Sequence, residues 1–269
     1  RGEIPNYECF GYYGGMPKLN LKNPEVEKFF TDVACYWIKE CDIDGWRLDV
    51  GDEISHFFWK NFRKAVKAVK KDMLIIGEIW HYAGDFLEGD EWDTVMNYPF
   101  YLNLIDLLAD EKITVSQFVQ NLGYLKGRLH KNCYPLMWNL IDSHDTARFL
   151  HLCNDNKKKQ HLAAAFQLLL PGMPMIYYGD EYAMPGANDP DCRRGMYWDE
   201  EYQDKEMYEW YKRLIQVRKS HACIVEGELA GIVTEDEEGT IVLIRKNGEE
   251  TIAMIFNCSS SAKKFNEYT

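Results

Sequence analysis

Short apolar runs alternate with longer amphipathic stretches along most of this chain. The apolar runs predict five buried strands, at residues 45–49, 73–78, 92–97, 136–141 and 174–178. Apolar residues at three- and four-residue spacing predict the helices between them, at residues 24–37, 58–69, 100–109, 115–129, 157–170 and 207–217. Asn23-Pro24 is typical of a helix start, because asparagine caps the first turn and proline fits its first position. Strands that alternate with helices indicate an α/β fold with a parallel sheet.

The pattern changes after about residue 222. Two strands are predicted at residues 241–244 and 251–256, and Asn247-Gly248 between them is a hairpin-turn signal. This region therefore predicts the start of a separate antiparallel β domain. Residues 1–20, in contrast, are predicted to form a loop, because glycine and proline interrupt them repeatedly.

Polar residues end three of the predicted strands. Arg47 and Asp49 lie two positions apart in the first, so their side chains point to the same face. A guanidinium so close favours an ionised, oriented carboxylate, which is what a nucleophilic carboxylate needs. Glu78 ends the second strand, and His144-Asp145 follow a later one. Carboxylates on successive strand ends suggest a nucleophile and an acid/base partner, and in a (β/α) barrel such ends open onto one catalytic face.

The composition narrows the class of protein. Hydrophobic residues make up 46% of the 269 residues, which is enough for a sizeable core and argues against disorder. The formal net charge of -12 makes binding to nucleic acid phosphates unfavourable, so no nucleic acid partner is expected. No run of eighteen apolar residues occurs, so no membrane-spanning helix is expected.

Eight cysteines are scattered along the chain without a C-x-x-C pair. This spacing gives no support to a zinc ribbon or a thioredoxin-like motif. Scattered cysteines in a chain of this length are typical of reduced packing residues, so we expect a reducing compartment, the cytoplasm. The chain opens on Arg1 rather than methionine, so we expect its N-terminal part to be missing, and the absence of a signal peptide carries little weight.

The strand-end motifs resemble those of the α-amylase family, glycoside hydrolase family 13. Three of that family's four main signature segments are matched in the right order: GWRLDV at 45–50, GEIW at 77–80 and SHDTAR at 143–148. MPKLN at 16–20 resembles the element that marks its neopullulanase, cyclomaltodextrinase and maltogenic amylase subgroup. VMNYPF at 95–100 and GANDPDCRRGMYWD at 186–199 are also similar to that subgroup, so the resemblance covers nearly the whole chain.

The resemblance implies a (β/α)8 TIM barrel, a long loop domain after its third strand and a C-terminal β-sandwich. On that basis residues 1–20 end the inserted loop domain, residues 21–222 form a partial barrel with strands four to eight, and residues 223–269 begin the C-terminal β domain. The chain would then be a C-terminal portion that lacks strands one to three, since five strand–helix units do not close an eight-stranded barrel. A homodimer is an assembly that this subgroup and the exposed sheet edges allow.

The resemblance and the strand-end pattern together lead to the hypothesis of a retaining glycosidase. Asp49 is the expected nucleophile, which forms a covalent glycosyl-enzyme intermediate, and Arg47 keeps it ionised and oriented. Glu78 is the expected general acid and base, and its carboxyl group should lie roughly 5–5.5 Å from that of Asp49. The resemblance implies that Asp145 is a third catalytic carboxylate and that His144 contacts the same sugar. The expected substrates are the α-1,4 bonds, and as a further option the α-1,6 bonds, of maltooligosaccharides, cyclodextrins, pullulan or starch, with transglycosylation as a second outcome.

Five further residues are candidates for sugar binding, each with a structural alternative. Glu53 stands where many family members carry part of a Lys-His pair, and glutamate there is typical of the neopullulanase subgroup. Trp80 and Tyr98 are candidate sugar platforms or else core residues. Asp189 and Arg193 lie in the loop after the last predicted barrel strand, where they either bind sugars further from the cut or brace the loop through a salt bridge.

Two other classes compete with this hypothesis. The first is a fragment or a relative that only binds carbohydrate or acts as a scaffold. Such a relative would normally lose a catalytic carboxylate, and all three are present here. A metal-dependent barrel hydrolase would need His-x-His or clustered His and Asp ligands, whereas the seven histidines are scattered. We therefore expect no metal or other cofactor to be required. A structural calcium ion, which some family members bind, finds no support in these residues.

Overall fold

The computed structural model describes residues 5–130 and 132–263, which fall into two units. The first unit ends at Met96 and the second begins at Asn97. Each unit has its own sheet and helices. Within these described residues, no helix is both long and apolar enough to span a membrane.

In the described part of the first unit, helices alternate with short parallel strands. The elements run in the order α1 (Pro24–Cys41), β1 (Gly45–Leu48), α2 (His56–Val69), β2 (Leu74–Gly77) and β3 (Thr94–Val95). β2 lies between the other two strands, and Arg47 of β1 is in register with Ile76 of β2. This parallel pairing confirms the predicted alternation, although β3 covers only two residues of the strand expected at 92–97. The pairing brings the carboxyl ends of β1 and β2 to the same edge of the sheet.

Side-chain caps fix where these two helices begin. The Asn23 side chain accepts a hydrogen bond from Glu25 N–H, and Pro24 takes the first position of α1, as predicted. The Ser55 side chain accepts from Phe58 N–H and starts α2. The Ser55 cap lies seven residues after the end of β1 at Leu48, so the connection between β1 and α2 is short.

The apolar face predicted for α1 is only partly buried. Ala34 and Ile38 are buried, whereas Phe29 and Trp37 are 62% and 45% exposed. Helix positions four residues apart share a face, so Ala34 and Ile38 mark the side that packs. Phe29 lies away from that side, and Trp37 lies at its edge. Spacing alone did not indicate which part of a broad apolar surface would pack.

The second unit contains longer helices followed by an antiparallel sheet. Its first part runs α3 (Tyr98–Leu104), α4 (Val115–Arg128), β4 (Trp138–Asn139), α5 (Phe149–Leu152), α6 (Lys157–Leu169), β5 (Met173–Pro174), α7 (Lys205–Ser220) and α8 (Ala222–Glu226). A π-helical turn, Ile105–Ala109, extends α3. The sheet that follows has the order β6 (Glu228–Glu235), β7 (Thr240–Asn247) and β8 (Glu250–Asn257).

Two strands predicted in this unit are much shorter than expected. β4 and β5 pair in parallel over two residues each, rather than over 136–141 and 174–178. Leu140 and Ile141 are fully buried although they lie outside β4. The apolar run at 136–141 therefore reflects burial in the core, and a buried segment need not form hydrogen bonds to a neighbouring strand.

The antiparallel sheet confirms the predicted change of pattern near residue 222. β7 and β8 form the expected hairpin, and Gly248 in its turn has a φ of 58°, a left-handed conformation that glycine adopts easily. β6 was not predicted, because most of its side chains are exposed and one face does not stand out as apolar.

Apolar side chains from the helices and from this sheet form one core within the second unit. Phe166 of α6 stacks on Phe256 of β8, with 4.3 Å between ring centroids. Phe166 also lies 5.1 Å from the ring of Phe118 in α4, and all three rings are buried. The sheet is therefore packed against the helices, while the domain boundary expected at residue 223 stays a prediction.

Candidate active site

Arg47 links two carboxylates at the ends of adjacent strands. It lies in β1, and its guanidinium forms ion pairs with Asp49 and with Glu78, the latter at 2.8 Å between Nη2 and Oε1. Glu78 follows β2 directly, so the pairing of β1 with β2 positions all three side chains. The contact between Arg47 and Asp49 that strand alternation predicted is therefore present.

The carboxyl group of Glu78 is buried and held from two sides. The residue is only 4% exposed. One oxygen contacts Arg47, and the other accepts a hydrogen bond from Val50 N–H at 2.9 Å. Glu78 N–H donates to Leu48 O, and Gly51 N–H donates to Glu78 O, so backbone bonds also join the two strand ends. The carboxyl group therefore has little freedom to rotate.

Val50 adopts a backbone conformation that β-branched residues usually avoid. Its φ of 45° and ψ of 44° lie in the left-handed region. This turn directs its N–H towards the carboxyl group of Glu78. Residues in such conformations cost about 1–3 kcal/mol and are concentrated at functional sites, where other contacts hold them in place. The valine next to Asp49 is thus a site feature that the sequence pattern did not reveal.

Trp92 packs against both strand ends, and its ring leaves no room for a side chain at two glycine positions. A Cβ atom at Gly77 would lie 2.3 Å from the Trp92 ring, and one at Gly51 would lie 2.6 Å from it. The indole is buried. It therefore approaches the backbone one residue before Glu78 and two residues after Asp49, where any side chain would displace it.

In the second unit, the loop after β4 presents His144 and Asp145. Asp145 N–H donates to the Ser143 hydroxyl oxygen at 3.2 Å, and Ser143 N–H donates to Thr146 Oγ1 at 2.9 Å. The Tyr98 hydroxyl shares a 3.1 Å hydrogen bond with the Ser143 hydroxyl. The loop is thus held both by its own turn and by α3.

Burial separates the two aromatic residues predicted as sugar platforms. Tyr98 is 0% exposed, so neither face of its ring can meet a sugar, and a stacking role for it is contradicted. Its hydroxyl instead supports the loop of His144 and Asp145 through Ser143. The aromatic residue type indicates a large ring at this position, but it does not indicate whether that ring is buried or exposed. Trp80 is 41% exposed, and its role as a platform stays a prediction.

Arg193 contacts the same loop from the turn Asp191–Arg193. Its Nη2 lies 3.1 Å from Asp145 Oδ1, and its Nε donates to His144 O at 2.7 Å. The same Nε lies 3.2 Å from Asp189 Oδ1. The bracing salt bridge weighed for Asp189 and Arg193 is therefore present, and sugar binding by either residue stays a prediction.

A buried acid pair, which no sequence pattern indicates, lies next to this loop. Asp142, which precedes Ser143, shares a hydrogen bond with Asp180, and both are buried. Burial raises the pKa of Asp180 well above its usual value, and the charge of Asp142 raises it further. Arg148 Nη1 lies 3.2 Å from Asp180 Oδ1 and also donates to Tyr178 O. A protonated Asp180 that donates to an ionised Asp142 fits this arrangement.

Metal and cysteine chemistry find no arranged site in the part of the chain that the structure describes. No group of three or more His, Cys, Asp or Glu side chains there is placed to hold a metal ion. The eight cysteines, all among the described residues, form no disulfide, and Cys153, Cys192 and Cys223 are buried. The burial of these three agrees with the packing role expected of the cysteines, whereas Cys41 is exposed. The expectation that no cofactor is required stays a prediction.

Comparison with known proteins provides the family. Residues 5–227 match the model of the alpha amylase catalytic domain. The chain belongs to the α-amylase family. The match includes the strand ends of Arg47, Asp49 and Glu78 as well as the loop of His144 and Asp145. It confirms the expected fold class, a partial amylase barrel of parallel strands and helices, which an antiparallel sheet follows.

The relatives lie in the subgroup that the motifs indicated. A cyclomaltodextrinase from Geobacillus thermopakistaniensis (strain MAS1) is 46% identical over 258 residues, which make up 96% of this chain and 44% of the relative. An intracellular maltogenic amylase from Bacillus subtilis is 43% identical over 253 residues, or 94% of this chain and 43% of the relative. The solved structure of a cyclomaltodextrinase matches with a TM-score of 0.91 and 40% identity, over 94% of this chain and 44% of that one. The chain thus spans less than half the length of these relatives.

Proposed function

We propose that this chain carries the catalytic carboxylates of a retaining α-glucan hydrolase. The observation that supports this most directly is the guanidinium of Arg47, which contacts Asp49 and Glu78 at once. One planar group between two carboxyl groups limits their separation. A retaining mechanism needs a short separation of about 5–5.5 Å, because one carboxyl group attacks the sugar while the other protonates the leaving oxygen.

The first half-reaction uses both carboxyl groups. Asp49 attacks the anomeric carbon with a carboxylate oxygen, and the bond from that carbon to the glycosidic oxygen breaks. Glu78 gives its proton to that oxygen, so the departing glucan leaves as an alcohol. Arg47 Nη2, 2.8 Å from Glu78 Oε1, stabilises the carboxylate that this step produces.

The second half-reaction returns the site to its starting state. The Glu78 carboxylate takes a proton from water, the water oxygen attacks the anomeric carbon, and the bond to Asp49 breaks. A sugar hydroxyl in place of the water gives transglycosylation. Asp145 and His144 are the proposed ligands of sugar hydroxyls, and such hydrogen bonds strengthen in the transition state.

The substrate class rests on the relatives. The name cyclomaltodextrinase refers to cyclic maltodextrins, and the name maltogenic amylase refers to the formation of maltose. We therefore propose α-1,4 bonds of cyclodextrins and maltooligosaccharides as the main targets, with starch, pullulan and α-1,6 bonds as further ones. A homodimer and a cytoplasmic location are also part of the proposal, and the intracellular relative supports the location.

Hydrolysis of cyclodextrin, pullulan and starch by the purified protein tests this proposal. Asp49→Asn and Glu78→Gln should each lower kcat by at least about 10³-fold. Glu40→Gln, a change at an exposed position of α1, is the matched control and should have no effect. Proton NMR should show the α-anomer as the first product.

Two results count against this function. Rates close to those of the unchanged protein in either carboxylate variant, or a β-anomer as the first product, contradict the retaining mechanism. A protein that binds glucans but does not cleave them would instead support the carbohydrate-binding alternative.

A further inference from the structure

Glu53 lies on the 3₁₀ turn Gly51–Glu53, shortly after Asp49, and its carboxylate is already bound. Gly11 N–H donates to both carboxylate oxygens, at 2.9 and 3.1 Å. Lys18 Nζ lies 2.7 Å from Oε2 and also donates to Glu53 O at 3.1 Å. Glu53 therefore holds the segment that contains Gly11 and Lys18.

That segment, residues 8–18, closes on itself and is called here the clamped loop. An antiparallel β-bridge pairs Cys9 with Pro17, and Lys18 N–H donates to Glu8 O at 2.8 Å. Backbone bonds thus join the two ends of the loop. Because the loop is closed, its contacts with Glu53 fix the position of the whole segment.

The contact between Lys18 and Glu53 is an ion pair in a partly buried setting. The ammonium group of Lys18 also lies 4.9 Å from the centroid of the Phe10 ring. The hydrogen bond from Lys18 lowers the pKa of Glu53, and the bond from Gly11 lowers it as well. Glu53 is therefore ionised at neutral pH, and hydrogen bonds to an ionised group are the stronger kind.

The clamped loop forms one wall of an open cleft of about 1480 Å³. Tyr12 and Tyr13 line this cleft from the loop. Asp52 and His81 line it from the connections that follow β1 and β2. His81 Nε2 lies 3.1 Å from Asp52 Oδ2. The position of the loop therefore sets the width of a cleft that adjoins the ends of the strands carrying Asp49 and Glu78.

We propose that Glu53 and Lys18 are positioning residues, which fix the clamped loop as the wall of this cleft. The inference rests on the proposed function and adds that this cleft receives the leaving part of the glucan. Glu53 then acts on that part of the substrate through the loop and not through a hydrogen bond to a sugar. This changes the role expected for Glu53 from the sequence.

Hydrogen exchange tests the clamp without an assay of activity. The Gly11 amide should exchange at least about tenfold faster in Lys18→Met and in Glu53→Ala, because each change removes a charged hydrogen bond that holds the loop. Lys22→Met and Glu40→Ala change exposed residues of the same types and should leave this rate unaltered. Unaltered exchange of Gly11 in both clamp variants overturns the inference.

Steady-state kinetics then separate positioning from direct sugar binding. Positioning predicts that Lys18→Met and Glu53→Ala raise KM by similar factors of about three- to tenfold, that the double variant raises it no further, and that kcat changes little. A rise in KM with Glu53→Ala but not with Lys18→Met indicates a direct sugar contact and overturns the inference. If the unchanged protein cleaves no glucan, the proposed function fails, while the exchange experiment still decides the clamp.

Discussion

Among the arginines that pair with carboxylates in this molecule, Arg47 and Arg193 do so from different kinds of structure. Arg47 lies in β1, and its partners Asp49 and Glu78 follow paired strands. Arg193 lies in a short turn within a long loop, from which it contacts Asp145. Sheet geometry therefore fixes Arg47, Asp49 and Glu78, called here the strand set. The loop set, Arg193 and Asp145, depends on contacts that the loop itself forms.

The two sets also differ in how far solvent reaches them. Glu78 is buried and receives a backbone hydrogen bond in addition to Arg47. Removing one partner of a buried ion pair costs about 3–5 kcal/mol, because the other charge is left uncompensated. The side chain of Arg193 is about half exposed, and exposed pairs contribute about 0–1 kcal/mol. The pair of Arg47 with Glu78 should therefore tolerate substitution much less than the loop set, whereas the Asp49 side chain is 72% exposed and does not share this burial.

The largest effect is expected from Arg47→Ala. It leaves Glu78 buried without its cation and removes the group that orients Asp49, so kcat/KM should fall by about 10²–10³-fold. Arg47→Lys keeps the charge but cannot contact both carboxylates from one plane, so it should restore only part of the activity. Steady-state kinetics on cyclodextrin measures both variants. Full activity in Arg47→Lys would mean that charge alone suffices and that strand geometry is not decisive.

The next largest effect concerns packing. Gly77→Ala places a Cβ atom 2.3 Å from the Trp92 ring and should lower the free energy of unfolding by about 2–3 kcal/mol. Gly195→Ala, in the loop that carries Arg193, is the matched control, because its added Cβ meets no atom within 4 Å. Urea unfolding of the two variants gives the difference. Equal losses of stability would contradict the tighter packing of the strand site.

A pH effect is expected at the buried acid pair beside the loop of Asp145. Burial and the charge of Asp142 raise the folded-state pKa of Asp180, so folding takes up a proton. This proton uptake adds to the free energy of unfolding. The gain is fully present below the pKa of the unfolded state, about 3.9, and is lost as pH rises through the raised pKa of the folded state. Asparagine cannot titrate, so in Asp180→Asn the free energy of unfolding should fall less steeply with pH, by up to about 1.4 kcal/mol per pH unit.

Unfolding free energies measured from pH 4 upwards check this expectation. Asp142, Arg148 and Glu181 all act on the charge of Asp180 and remain in the variant, so the change in slope reports Asp180 itself. The same slope in the variant and the unchanged protein would show that Asp180 does not hold the proton.

The smallest effect is expected from Arg193→Ala. Water can replace a half-exposed guanidinium, so KM should rise by about tenfold or less, with little change in kcat. The rise should shrink at higher ionic strength, because salt screens exposed charges. Measuring KM at low and high salt tests both points. A loss as large as that of Arg47→Ala would remove the distinction between the two arginines.

The same contrast explains what the sequence could predict at the strand site. Alternation along a strand relates Arg47 to Asp49, and parallel pairing brings Glu78 to the same edge, so simple geometric rules lead from the sequence to the contact. The left-handed turn at Val50 and the packing of Trp92 follow no such rule. They depend on which parts of the chain meet after folding.

In the second unit the motif predicted His144 and Asp145 but not what holds them. The acid pair joins Asp142 to a residue far along the sequence, so no local pattern indicates it. For Tyr98 the sequence leaves a sugar platform and a core position open, because aromatic residues suit both, and only burial separates the two. β6 was missed because its exposed side chains carry no clear alternation.

Covalent trapping tests most directly whether Asp49, held by Arg47, forms a bond to the sugar. The protein would be incubated with 5-fluoro-α-glucosyl fluoride, digested and analysed by mass spectrometry. Loss of the anomeric fluoride should leave one added 5-fluoroglucosyl group on the peptide that contains Asp49, and none in Asp49→Asn. A label on a different carboxylate, or turnover by Asp49→Asn without any adduct, would contradict it.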